Sequence, residues 1–208
     1  MTQTALIPAD EPGAIERALR VVQDGGLVAF PTDTVYGVGA AAFDARAVSR
    51  IYQAKGRAEQ KAIPVLLAGL GDLERVAAEV SPDLRRLAAQ FWPGPLTLVV
   101  AKHPDLPMEV SPSPTVGLRV PDHPVALGLL AAAGPMAVTS ANRSGGPNPT
   151  TPDQVLSALG GRIELLLDGG QTPGGRPSTV VDCTQHPPLL LRPGPVTLEA
   201  VLDCLAKR

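Results

Sequence analysis

The apolar residues of this chain come in short runs bounded by glycine or proline, at 27–30, 63–68, 96–101, 116–120, 137–140, 163–167, 179–183 and 189–191. Several are continuously apolar, as strands covered on both faces are. Helical patterns lie between many of them. Asp44 can cap a helix with Ala47, Val48, Ile51 and Tyr52 on one face. Ser81-Pro82 opens a second helix, carrying Leu84, Leu87 and Phe91, and Thr151-Pro152-Asp153-Gln154 opens a third with a capping-box signature. Ile15, Leu19 and Val22 form an earlier stripe, and Leu198, Val201, Leu202 and Leu205 a last one. Strands alternating with helices predict one α/β domain with a twisted, mixed parallel and antiparallel sheet. No composition break divides the 208 residues, so the domain is expected over 8–208, with residues 1–7 as an N-terminal tail. The proline-rich stretch from His103 to Pro114 reads as an irregular connection within it.

Composition narrows the function classes. Aromatics are 3% of the chain, too few for a platform that stacks single-stranded bases, and the net charge of −2 gives no global attraction to nucleic acid or membrane. Cys183 and Cys204 are far apart and the three histidines are scattered, so no metal site is expected. Two free thiols, with neither a signal peptide nor a membrane span, suit a reducing cytoplasm. No G-x-S-x-G elbow occurs and no histidine neighbours a nucleophile, which disfavours a hydrolase triad. His103 and His123 sit beside prolines in loop-like sequence and read as surface residues, and Trp92 as the anchor of a strand entry.

Four segments carry candidate chemistry. In the first, residues 32–39, Thr32, Asp33 and Thr34 follow an apolar run and precede Gly37 and Gly39. The hydroxyls can fix an amine or hydroxyl, and the glycines permit close backbone approach. A strand-to-loop turn with locally satisfied side chains explains the same residues. In the second, Lys55-Gly56-Arg57 with Lys61 crowds three cations at a helix C-terminus. They can compensate the helix dipole or hold an anion such as phosphate. In the third, Val138-Thr139-Ser140-Ala141-Asn142 ends an apolar strand in polar groups, where ligands bind open α/β sheets, although Asn142 could instead be held by its own turn. In the fourth, Ser178 opens a buried run and Arg192 closes another, free to pair with an anion or with Asp182. Arg119, between Leu118 and Val120, is half-buried by pattern and needs a partner.

Taken in order, the segments resemble one family. Pro31-Thr-Asp-Thr-Val-Tyr-Gly-Val-Gly39, Ala54-Lys-Gly-Arg57, Trp92-Pro-Gly-Pro-Leu-Thr97, Gly117-Leu-Arg-Val-Pro121, Ser140-Ala-Asn142, Ser178-Thr-Val-Val-Asp182 and Leu191-Arg-Pro-Gly194 are similar to the YrdC/TsaC-like L-threonylcarbamoyladenylate synthases. The resemblance implies a sheet around a large basic cavity. The implied reaction makes threonylcarbamoyl-AMP and pyrophosphate from L-threonine, bicarbonate or CO2, and ATP. Downstream machinery would then modify adenosine 37 of tRNAs that read codons starting with A. By motif, Thr34, Arg119, Val138 and Ser178 would contact threonine, while Arg57, Lys61, Thr115, Ser140, Asn148 and Arg192 would hold ATP. Lys55, close to the phosphates, and Arg57 would be the catalytic cations. Mg²⁺ is expected to arrive with ATP, with no metal ligands from the protein.

Leu66 departs from relatives that place a histidine there to touch threonine. The chain also resembles the short form, without the C-terminal domain of longer relatives. Two other readings follow from the same resemblance: a non-catalytic module with weak affinity for RNA or the ribosome, and a carbamoyl-transfer domain of the hydrogenase-maturation type.

Overall fold

Residues 27–30 alternate between two cores: Leu27 and Ala29 belong to one, Val28 and Phe30 to the other. That two-residue period is what a strand buried on both faces requires. The computed structural model describes residues 3–58, 61–174 and 176–206. Its strands are β1 (Ala5–Pro8), β2 (Val28–Pro31), β3 (Tyr36–Ala41), β4 (Val65–Leu66), β5 (Leu96–Ala101), β6 (Thr115–Arg119), β7 (Met136–Ser140), β8 (Leu165–Asp168), β9 (Thr179–Asp182) and β10 (Leu189–Arg192). Its helices are α1 (Ala14–Gln23), α2 (Ala45–Lys55), α3 (Leu73–Val76), α4 (Pro82–Phe91), α5 (Pro124–Ala133), α6 (Pro152–Leu159) and α7 (Leu198–Ala206).

The strands form one sheet in the order β1-β8-β2-β3-β7-β4-β6-β5-β9-β10. The sheet is mixed: β1 with β8, β8 with β2, β4 with β6 and β5 with β9 are parallel, and the other pairs, such as β3 with β7 and β5 with β6, are antiparallel. Helices α1 and α5 cover one face through Ala18, Val22, Leu129 and Leu130. Helices α2, α4, α6 and α7 contribute Ile51, Leu87, Val155 and Val201 to the core on the other. The expected caps form: Asp44 accepts from the Arg46 and Ala47 amides, and Ser81 from Leu84. Gln154 reaches back to the Thr150 amide, one residue before the cap itself. No helix among the described residues is long and apolar enough to cross a membrane.

Several expectations need correction. Residues from Ala5 on are not tail but an edge strand, paired in parallel with β8. Residues 32–39 allowed a strand-to-loop turn as one reading; the turn is confined to 32–35, and Tyr36–Ala41 form β3, where a Cβ on Gly37 or Gly39 would meet a Val138 methyl at 2.7 Å. The expected strand at 63–68 is regular only over Val65 and Leu66; on either side single backbone bonds continue it, from Val138 N to Pro64 O and from Leu67 N to Arg119 O, and Pro64 has no amide of its own to donate. Helix α5 has an apolar sequence on all sides, so it shows no stripe. His123 caps it, with Nδ1 accepting from the Val125 amide at 3.3 Å, and burial lowers its pKa; it is no free surface histidine.

The two cysteines are free. Burial, with Asp182 beside it, pushes the Cys183 thiol up to about 12. At pH 8 almost none is thiolate, the reactive form. Cys183 should therefore escape iodoacetamide in the folded protein and be labelled after unfolding at the same pH, as peptide mass spectrometry can read. Labelling of native Cys183 at the unfolded rate would contradict the burial.

Candidate active site

The hinge of the site is the β2–β3 turn. Around it the sheet opens a cavity of about 310 Å³ lined by Thr32, Thr34 and Val35 of the turn and Gly37 of β3. The ends of neighbouring elements supply Leu66 (β4), Thr97 (β5), Arg119 (β6), Ser178 (before β9) and Arg192 (β10). Val138, Thr139 and Ser140 come from the end of β7, Arg57 from beyond α2, and Asn148 from the loop before α6. Charge sets this cavity apart. Among the described residues its lining holds three arginines and no carboxylate, whereas the hollows along α4, α6 and α7 each include an aspartate.

Arg119 is 6% exposed and fixed on three sides. Nε donates to Gly94 O at 2.9 Å, one terminal nitrogen to Thr34 Oγ1 at 3.1 Å, and the other to Asp33 Oδ1 at 2.5 Å. Burial lowers its pKa and Asp33 opposes the drop. A guanidinium has five N–H donors, so two remain for a ligand. The carboxylate of Asp33 also accepts from the Asp122 amide at 3.1 Å, which ties the turn to the end of β6.

Arg192 stands at the mouth. It donates to Ser178 O and Ser178 Oγ, both at 3.0 Å, and Ser178 Oγ lies 2.8 Å from Thr97 Oγ1. The alternative pairing with Asp182 is not made; that carboxylate is occupied by Thr184 and Gln185. Partial desolvation lowers the Arg192 pKa, and the like charge of Arg119 lowers it further. Two cations that repel across a hollow favour an anion between them.

Arg57 donates to Thr139 Oγ1 at 3.1 Å and to the carbonyls of Ala62 and Lys61 at 2.9 and 3.2 Å. Its Nε is buried without a partner among the described residues. Desolvation lowers its pKa, so this charge too lacks full compensation.

Eight of the eleven expected site residues line the cavity together: Thr34, Arg57, Arg119, Val138, Ser140, Asn148, Ser178 and Arg192. Three do not. Lys61 is exposed, and only its carbonyl reaches Arg57. Thr115 begins β6 and its hydroxyl pairs with Ser113 Oγ at 3.1 Å. Lys55 lies beneath the lining, 2% exposed. Its ammonium donates to Ser140 O, to Asn142 O at 2.6 Å and to Asn142 Oδ1 at 3.5 Å, which uses all three protons. Burial and then Arg57 pull its pKa down to about 7, while the three oxygens favour the charged form. Asn142 donates to the carbonyls of Arg143 and Gly146, so it is the self-held turn that its sequence allowed. Thr32 and Thr139, from the first and third candidate segments, also line the cavity, as does Thr97, which had no candidate role. For Thr97 the available signal was its place in the Trp92–Thr97 motif. Leu66 presents an apolar wall beside Val138.

The Sua5/YciO/YrdC family model, described as telomere recombination, matches residues 20–194. The chain belongs to this family. Among its relatives, the threonylcarbamoyl-AMP synthase of Pyrococcus abyssi is 44% identical over 193 residues, 92% of this chain and 57% of that one. The chain thus spans little more than half the length of that relative. A putative threonylcarbamoyl-AMP synthase of Mycobacterium tuberculosis is 42% identical over 199 residues, covering 95% of this chain and 92% of its own. The P. abyssi Sua5 structure complexed with L-threonine superposes with a TM-score of 0.91 at 41% identity, over 99% of this chain and 61% of that one. E. coli YciO superposes at 0.85 with 27% identity, over 97% of this chain and all of its own. The Sua5/YciO/YrdC likeness thus covers the sheet and every element that lines the cavity.

Proposed function

We propose that this cavity joins L-threonine to ATP through a carbamate, as an L-threonylcarbamoyladenylate synthase. One observation carries the reading: three arginines and a set of hydroxyls, with no carboxylate among the described lining residues, converge in a chain similar to a protein solved with L-threonine. Threonine would lie against Thr34, Arg119, Val138 and Ser178, with its carboxylate on the two spare N–H groups of Arg119. ATP would lie across Arg57, Ser140, Asn148 and Arg192, with Lys61 and Thr115 reached from outside the cavity.

The threonine amine forms the carbamate either by adding to CO2 with release of a proton, or by condensing with bicarbonate with loss of water and no net release of a proton. A carbamate oxygen then attacks the α-phosphorus; the bond to the β-phosphate bridging oxygen breaks, and pyrophosphate leaves. Several negative charges crowd together in that transition state, so aligned arginines and hydroxyls do most of the work and no side-chain nucleophile is needed. Mg²⁺ would arrive with ATP, held by the phosphates and water. The product would serve the modification of tRNA adenosine 37 by a separate transferase, in the cytoplasm.

The test is incubation with α-labelled ATP, threonine, bicarbonate and Mg²⁺. Threonine-dependent pyrophosphate and a labelled threonylcarbamoyl-AMP are expected; their absence would refute the reading. Arg57→Ala should weaken ATP binding by about tenfold or more, the scale of a lost charge-assisted hydrogen bond, and change threonine binding less than about threefold. Equal losses for both ligands, measured by calorimetry, would contradict the separation of the two subsites.

A further inference from the structure

The connection from β8 to β9 runs against the β2–β3 turn. Gly169 starts it at the end of β2, where a Cβ would meet Pro31 Cγ at 2.6 Å. The Tyr36 hydroxyl of β3 holds it there, donating to Gly170 O at 2.7 Å and accepting from the Gly169 amide at 3.2 Å. Buried Thr172 fastens it again. Its amide donates to Thr150 O at 2.9 Å, and its one hydroxyl proton is shared between Thr34 O at 3.4 Å and Thr150 O at 3.5 Å.

Gly174 then rests on the turn itself. A Cβ there would meet Thr34 O at 2.6 Å, Thr34 Cα at 2.8 Å and Asp33 O at 3.0 Å. All three are backbone atoms, so no side-chain rotation relieves the contact. The glycine is not demanded by its own conformation, because its φ lies outside the left-handed region that favours glycine. It is the turn that requires it. Neither Thr172 nor Gly174 is among the described residues that line the cavity, whereas Thr34 is.

We infer that Gly174 is a positioning residue: its bare Cα sets where Thr34 stands in the cavity and beside Arg119, while Thr172 holds the connection against the turn. That role rests on the threonine reading of the site and adds to it residues from outside the lining. The connection is not free to lift away. It is fastened before Gly174 at Thr172, and after it at Ser178, whose hydroxyl lies 2.8 Å from Thr97 Oγ1 and 3.0 Å from an Arg192 nitrogen. Thr34 borders a hollow, so the turn has room to yield. An added methyl therefore displaces the turn, and a misplacement of about 1 Å in a site costs on the order of a hundredfold in rate.

Two measurements test this. A crystal structure of ligand-free Gly174→Ala protein is expected to show the turn displaced and the contact of Thr34 Oγ1 with Arg119, 3.1 Å in the unaltered chain, broken. A turn left in place, with the connection lifted from it, would overturn the inference whatever the protein binds. Calorimetry then compares the ligands. Gly174→Ala should weaken L-threonine by about tenfold or more and ATP by less than about threefold. Thr172→Val keeps the amide bond to Thr150 but has no hydroxyl for Thr34 O. It should weaken L-threonine by about threefold or more, and Thr172→Ser should bind it as the unaltered protein does. Gly71→Ala is the control, because a Cβ there meets nothing within 4 Å, and it should change neither ligand. Equal losses of L-threonine and ATP in Gly174→Ala, or equal binding by the valine and serine variants, would overturn the inference. Failure of the unaltered protein to bind L-threonine would instead refute the substrate reading beneath it.

Discussion

Replacing Arg119 with alanine should abolish threonine-dependent pyrophosphate release and lower the melting temperature by roughly 6–20 °C. Both effects have one origin. The guanidinium is buried and bridges Gly94 O, Thr34 Oγ1 and Asp33 Oδ1, so its loss leaves the Asp33 carboxylate, only 13% exposed, without its counter-charge. Breaking a buried ion pair from one side costs about 3–5 kcal/mol, and a domain of this size loses about 2–4 °C per kcal/mol. The same deletion removes the proposed ligand of the threonine carboxylate, and a lost charged contact of that kind lowers turnover by about a hundredfold or more. A second variant separates stability from binding. In Asp33→Asn/Arg119→Ala the stranded charge is gone, so part of the melting temperature should return while threonine binding stays lost. ATP affinity should change little in either. If the single variant still bound threonine at the wild-type level, the assignment of Arg119 would fall. Arg119→Lys is also expected to fail, because an ammonium cannot fork to Asp33, Thr34 and a ligand at once.

Most of the sheet was legible because its strands are buried on both faces and end at glycine or proline. β5 and β7 follow their apolar runs to within a residue at either end. The misses have physical causes. β3 (Tyr36–Ala41) interleaves Tyr36 and Val38 with Gly37, Gly39 and alanines, which are depleted in strands, and its glycines leave room for the Val138 side chain of the neighbouring strand. β1 gains its identity from β8, more than 150 residues later, and nothing local announces it. α5 has no polar face, so no periodicity marks it.

The candidate site was legible as strand ends and cations, since its polar residues follow apolar runs. What the sequence could not separate was a cation that faces the cavity from one that holds its floor. Lys55 and Arg57 are two residues apart, yet one turn of backbone at Gly56, with φ at +60°, sends them to different surroundings.

Lys55→Met should therefore destabilise the ligand-free protein, by on the order of 3 kcal/mol and roughly 6–12 °C in melting temperature. The ammonium gathers Ser140 O, Asn142 O and Asn142 Oδ1 under the end of β7. A thioether can bond none of them, and buried carbonyls left without a donor are costly. ATP affinity should drop as well, by about tenfold, because Ser140 lines the cavity and is held in place through its own carbonyl. The stability measurement distinguishes this role from direct contact with phosphate. A lysine that only met phosphate would lose affinity on substitution and leave the ligand-free melting temperature unchanged or raised, since burying a charge without partners is unfavourable. Asn142→Ala supplies the cross-check. Asn142 shares the floor with Lys55 and braces the turn through Arg143 O and Gly146 O, so the stability losses of the two variants should not add. Full additivity would mean that Lys55 and Asn142 act separately. A Lys55→Met protein as stable as wild type would return Lys55 to the cavity and to the phosphates.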